Sequence, residues 1–295
     1  MAFAIRAVVL IFLLVPVFAW SAPVPDSQEE WRRLVTGLVR MGLPSTFLRL
    51  LPVEFVKLHF GELKNAAAEY HPDGHRMIFH TNLSVEGQGR RFRPVAEIAS
   101  QDLATIYHEL FHAYFDYVDF AASTPKMDPR GARLHAEAKR LLTCRYTMVE
   151  VVVGPPQKGR QHKSRVEPRR LTESEGWDAL NETWGVFVGW AIWNRLETTD
   201  RLGRRWDWDA IEGFLDRLDE AYQNGDISGY YEPVDVDARK VMPRWYLAPS
   251  HAISAPEIAL LLDVILDEPP GMVELVKNWI GAPEDRPRAP GLNAC

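Results

Sequence analysis

Residues 100–117 read SQDLATIYHELFHAYFDY, a run that contains neither Gly nor Pro. Ser100 can cap its start and Asp102 favours the first turn, so the run predicts a helix of about five turns at 3.6 residues each. Leu103, Ile106, Leu110, Phe111, Tyr114 and Phe115 are apolar, which makes it a buried helix. His108, Glu109, Leu110, Phe111 and His112 spell H-E-x-x-H within it. Two imidazoles four residues apart project from one helix face about one turn apart, the spacing at which they hold a single Zn²⁺. Neutral imidazoles bind the ion without cancelling its Lewis acidity. The carboxylate of Glu109 can take a proton from a water whose pKa the metal has lowered to about 7. With nine histidines in the chain, the five-letter pattern arises by accident on the order of 0.02 times. Ionisable groups among apolar neighbours are also costly to bury without a partner such as a metal.

A catalytic zinc takes three protein ligands and keeps a fourth position for water. The candidate third ligand is Glu182, in the stretch NETWGVFVG at 181–189, on a long helix predicted over 173–196. At about 100° per residue, Gly185 and Gly189 share its face, so a neighbouring helix can approach closely there. Each glycine otherwise weakens a helix interior by about 1 kcal/mol relative to alanine. Glu175 and Asp178 lie on nearly the same face and are rival ligands or acceptors for a histidine N–H. Trp177, Trp184, Trp190 and Trp193 mark the same helix as a core element. A hydrolase also needs a donor for the oxyanion; Tyr230, Tyr231, Tyr246 and His251 are the downstream candidates, and spacing does not choose among them.

Outward from these two helices the pattern is mixed. Apolar residues at helical spacing over 28–62, punctuated by Pro44 and Pro52, predict two or three short helices. A turn at Pro72, Asp73 and Gly74, then Met77 and Phe79 on one face with His80 on the other, predicts a hairpin or half-exposed strand. A loop over 125–131, a helix over 132–142 and a β-branched strand over 146–153 come next. The basic stretch 157–170, QKGRQHKSRVEPRR, reads as a solvated loop. Shorter helices are expected over 208–222, 256–266 and 272–280, and His135 is expected to face solvent. No repeat or linker divides the chain. The expected fold is a single α+β domain over 22–295, predominantly helical, with a small mixed sheet.

The 295 residues are 46% hydrophobic and 25% charged, enough apolar material for a sizeable core. Lys and Arg total 34 against 40 acids, a net charge of -6, so no overall basic field exists for gripping nucleic acid. Arg6 is followed by AVVLIFLLVPVFAW, with small residues at Ala19 and Ser21. That is the build of a secretory signal peptide over 1–21, cleaved after Ser21, and it directs the chain to a secreted or periplasmic location. Pro16 interrupts a run already short of the about 20 residues a span needs, so no stable membrane span is expected after signal removal. Cys144 and Cys295 are the only cysteines, which excludes a multi-cysteine zinc cage and leaves room for one bridge.

At these residues the chain resembles the zincin metallopeptidases, and among them the glutamate-ligand branch, the gluzincins. The run HELFHAYFDY at 108–117 looks like the active-site helix of the thermolysin type, which is paired with a later Asn-Glu on a second helix, here Asn181 and Glu182. The resemblance implies a zincin-like catalytic domain with His108, His112 and Glu182 as zinc ligands and Glu109 as general base. It also implies a peptide or protein substrate lying along a sheet edge formed by a strand near Met77 to His80. The family's aspartate four residues after the ligand glutamate is Val186 here, and the interval from His112 to Glu182 is longer. The alternative expectation is an exported, non-catalytic binding or envelope protein on the same scaffold, with a structural or degenerate metal site.

Overall fold

The computed structural model describes residues 27–124, 127–153, 165–198 and 208–278. The expected signal peptide, most of the basic stretch and Cys295 lie outside the described residues. The chain begins with helices α1 (Ser27–Arg40) and α2 (Thr46–Leu50) and strands β1 (Lys57–Gly61), β2 (Ala68–His71) and β3 (Arg76–His80). Helices α3 (Ser100–Ala121) and α4 (Pro129–Cys144), strands β4 (Met148–Val153) and β5 (Arg165–Arg170) and helix α5 (Glu173–Thr198) follow. Then come α6 (Trp208–Asn224), β6 (Tyr230–Tyr231), α7 (Val236–Val241), β7 (Trp245–Tyr246), α8 (Ala255–Val264) and α9 (Pro270–Lys277). The architecture is α+β and mainly helical.

The first sheet is small and mixed, in the order β1-β3-β2, with β1 parallel and β2 antiparallel to the central β3. Residues 57–61 form a strand where helical spacing predicted a helix. Leu58 is buried between exposed Lys57 and His59, and this period of two lets it pair across to Met77. The hairpin expected over 66–82 is present, turning at 72–75. Gly74 and His75 both take positive φ there (81° and 54°), and the ring of Phe55 lies 4.0 Å from that of His75. The described part of the basic stretch is not the loop expected: its last six residues form β5, antiparallel to β4 and facing solvent.

α3 and α5 make the most extensive helix pairing and carry the core between them. The predicted helix start at Ser100 is offset by one residue. Ala99 occupies the cap position without a side-chain bond, and Ser100 is already helical. α5 opens on a reciprocal cap: Glu175 Oε2 accepts from Thr172 N–H at 2.9 Å, and Thr172 Oγ1 accepts from Glu175 N–H at 3.2 Å. Trp184 is fully buried against Phe111 and Phe115. Trp177 stacks on Phe115 at 4.8 Å, whereas Trp193 is 41% exposed. His135 is half-buried beside Asp119 rather than facing solvent, with Nε2 to Oδ1 at 3.3 Å.

One buried carboxylate ties the C-terminal part to this helix pair. Glu257 of α8 accepts from Tyr146 Oη and Trp184 Nε1, each at 3.0 Å, and from the N–H and hydroxyl of Ser254 at 2.8 and 2.6 Å. Arg145 Nε lies 3.2 Å away as its counter-charge, and the same guanidinium donates to Ala252 O. Glu257→Ala leaves that cation and two aromatic donors buried without their acceptor, a loss on the scale of about 3–5 kcal/mol. Calorimetry should show a melting temperature lower by about 10 °C.

Candidate metal centre

α3 presents His108 and His112 toward Glu182 of α5, with Glu109 beside them. The imidazole Nε2 atoms of His108 and His112 are 2.8 Å apart, with the rings near perpendicular at 88°. Glu182 reaches across from α5. Its Oε2 is 3.4 Å from His108 Nε2 and its Oε1 is 3.6 Å from His112 Nε2. Ligands held tetrahedrally at about 2.0–2.1 Å from a zinc ion lie roughly 3.3 Å from one another, and these three separations bracket that value. Glu182 Oε2 is buried without a hydrogen-bond partner, which suits an atom whose partner is a cation. The donor set, two imidazoles and one carboxylate, fits zinc.

Glu109 can also bring an oxygen within 4.8 Å of both imidazoles. Its position favours another role: Oε1 is 4.0 Å from His108 Nε2, and Oε2 accepts the Tyr70 N–H at 2.7 Å. The carboxylate is thus held between the imidazole pair and strand β2. The rivals to Glu182 are engaged elsewhere. Glu175 accepts the Val234 N–H at 3.0 Å and Asp178 the Glu232 N–H at 2.7 Å, so both fasten the chain after β6 to α5. Burial, together with the nearby charge of Glu182 and against that N–H bond, raises the Asp178 pKa to about 6.

The glycines of α5 explain the approach. A Cβ on Gly185 would sit 2.8 Å from His112 Cε1 and 3.1 Å from His108 Cε1, and one on Gly189 would sit 3.0 Å from Ala104 O. Asn181, one residue before Glu182, orients a ring: its Oδ1 accepts from His112 Nδ1–H at 2.9 Å, which turns His112 Nε2 toward the cluster. Sequence reasoning noted Asn181 only as part of a motif and missed this role. Burial depresses the His112 pKa, but the charge of Glu182 more than offsets it and carries it up to about 9. Burial correspondingly raises Glu182, and the two imidazoles bring it well below the usual carboxylate range.

Of the four oxyanion candidates, one is near this cluster. The Tyr230 hydroxyl has a raised pKa because of burial first and then the charge of Glu182, and Arg244 covers its ring at 4.6 Å. Tyr231 is buried facing the core, Tyr246 is half-exposed against Tyr230, and His251 packs edge-on against Tyr146.

The sheet edge is β2 and not the strand near Met77 to His80, because β3 is central and pairs on both sides. His80 N–H bonds Ala67 O, so antiparallel alternation turns the N–H and C=O groups of Ala68 and Tyr70 away from β3. Tyr70 is held at its far end too: its hydroxyl donates to Asp116 Oδ2 at 2.5 Å, and His75 Nδ1 meets the same oxygen at 2.9 Å. Neither Tyr70 nor Asp116 carried a sequence signal for this role beyond the Asp-Tyr that ends the motif helix.

The chain matches no protein-family model, no curated protein and no solved structure. Among the described residues no helix is long and apolar enough to cross a membrane.

Gly185→Ala should destabilise the fold by about 1–3 kcal/mol despite alanine's better helix propensity. Gly271→Ala, where nothing lies within 4 Å of an added Cβ, should be neutral or slightly stabilising in the same urea titration.

Proposed function

We propose that this chain is an exported zinc metallopeptidase of the zincin kind, which hydrolyses peptide bonds with Glu109 as general base. The observation that carries the proposal is the convergence of His108, His112 and Glu182 from two helices, with Glu109 set apart from them and bonded to the edge strand β2. Zinc held by these three residues would supply Lewis acidity toward a carbonyl and lower the pKa of water.

Glu109 accepts the proton of the attacking water and delivers it to the leaving amine. Its Oε2 is fixed by the Tyr70 N–H and its Oε1 faces the imidazoles, so the free lone pairs point into the space between helix and strand. Tyr230, whose hydroxyl lies close to Glu182, is the donor for the oxyanion. With the Tyr70 N–H taken by Glu109, the outward N–H of Ala68 and the C=O groups of Ala68 and Tyr70 are what β2 offers an extended peptide added alongside it. The signal-like sequence of residues 1–21 supports export.

Metal analysis by plasma mass spectrometry should find about one zinc per chain, lost in His112→Ala and in Glu182→Gln. Glu109→Gln should keep the metal while hydrolysis of a quenched fluorescent peptide library falls about 10²–10⁴-fold. Full turnover by that variant would falsify the mechanism; a well-folded chain that takes up no zinc would remove the peptidase.

The pH dependence has a definite sign. A proton held with a pKa of about 9 at His112 must leave before the ring can bind a metal. Zinc affinity should therefore rise about tenfold per pH unit from neutrality to about 9, with proton release visible as a buffer-dependent heat in titration calorimetry.

A further inference from the structure

The chain is acidic overall, with a net charge of -6, yet one groove between α1 and the segment at 91–96 is arginine-rich. Arg32, Arg33 and Arg40 line it from α1, and Arg91 and Arg93 from the facing segment; the one acid in the lining is Glu29. Arg32 and Arg40 share a helical ridge through Thr36. Phe92 is buried and pairs in an antiparallel bridge with Ser84, so its neighbours Arg91 and Arg93 turn to the opposite face.

The groove is firmly built. Buried Glu30 accepts the Phe92 N–H at 2.8 Å and pairs with Arg33 at 3.3 Å. Arg93 N–H bonds Leu83 O at 2.9 Å. Gly37 lets the segment close on α1, because a Cβ there would meet Val95 Cγ2 at 2.4 Å. Glu29 is shared by Arg32 and Arg33. Arg40, Arg91 and Arg93 have no side-chain partner among the described residues.

Guanidinium groups gathered this way repel one another until a counter-charge arrives, and their planar donor forks match phosphate oxygens. A phosphate monoester carries about -1.5 to -2 at pH 7, enough to answer several arginines together, whereas a carboxylate carries a single charge. The cavity of about 670 Å³ is far larger than a bare oxyanion needs and lies within the range of about 300–1,000 Å³ usual for small-molecule sites. Met41 and Val85 add an apolar wall. We propose that this groove binds a phosphate ester, the phosphate on Arg40, Arg91 and Arg93 and the organic part along Met41 and Val85. A soluble monoester and the monoester headgroup of phosphatidic acid offer the same chemistry. The site is independent of the metal centre.

The test uses the purified chain and three variants: Arg91→Ala with Arg93→Ala, Arg40→Glu, and Lys277→Ala as an exposed control on α9. Calorimetric titration with phenyl phosphate should show saturable binding, weaker for benzoate. The double variant should lose at least about tenfold in affinity, the scale of one charge-assisted hydrogen bond. Arg40→Glu should abolish binding and Lys277→Ala should leave it unchanged, with melting temperatures held in all three. Co-sedimentation with vesicles of phosphatidic acid in phosphatidylcholine, against phosphatidylcholine alone, separates the sources. Binding that extends to the anionic vesicles and depends on the same arginines assigns a lipid headgroup, and phenyl phosphate binding without vesicle binding assigns a soluble ester. No saturable binding, equal binding by the arginine variants, or binding confined to polyanions such as heparin or an oligonucleotide overturns the proposal.

Discussion

The site depends on how closely two helices can approach. α3 carries both imidazoles and α5 the carboxylate, and backbone contact at Gly185 and Gly189 brings the three within 3.6 Å of one another. A pair of helices separated by ordinary side chains lies about 8–10 Å apart, and a glutamate does not then sit between two rings on the facing turn with its backbone against them. The glycines sacrifice helix propensity in the middle of the longest helix, and the aromatic packing of Trp184 and Trp177 on Phe111 and Phe115 holds the helices together beside that contact.

Around that contact the chain uses buried polar groups as fasteners. Glu257 collects donors from β4's approach, α5 and its own helix start, and binds the C-terminal helices to the core. Asp178 and Glu175 use the next turns of the same α5 face to hold the segment after β6, which brings Tyr230 to the cluster. One helix face therefore carries three acidic residues with different tasks, and what separates them is what stands opposite. Glu182 meets imidazoles; the other two meet backbone N–H groups.

The motif helix and its partner were legible because their signals are local: an uninterrupted periodic run, histidines four apart, and glycines in register with a glutamate. The helical majority and the hairpin at 68–80 were legible for the same reason. What was not legible depends on pairing between distant segments. The stretch 57–61 has apolar residues compatible with either period, and only the docking of Leu58 beside Met77 makes it a strand. The edge position of β2 is a property of sheet order, which no single strand encodes. Asn181 was visible as a letter beside Glu182, but its task required knowing that His112 Nδ1 faces it. The choice of Tyr230 among four candidates rested on the fold of the segment after α6.

Tyr70 is fixed at two points, its N–H on Glu109 and its hydroxyl on Asp116, and both acceptors belong to α3. Strand and helix are thereby tied together, and the edge of β2 has a set height and heading relative to Glu109. An extended chain paired on that edge, as proposed for a peptide substrate, would have no continuous freedom to slide. It moves in register steps, and since a one-residue step reverses which side chains face inward, equivalent placements recur only every two residues, about 6.6 Å. The position along a bound strand that comes to rest beside Glu109 is then chosen from a short series of discrete alignments.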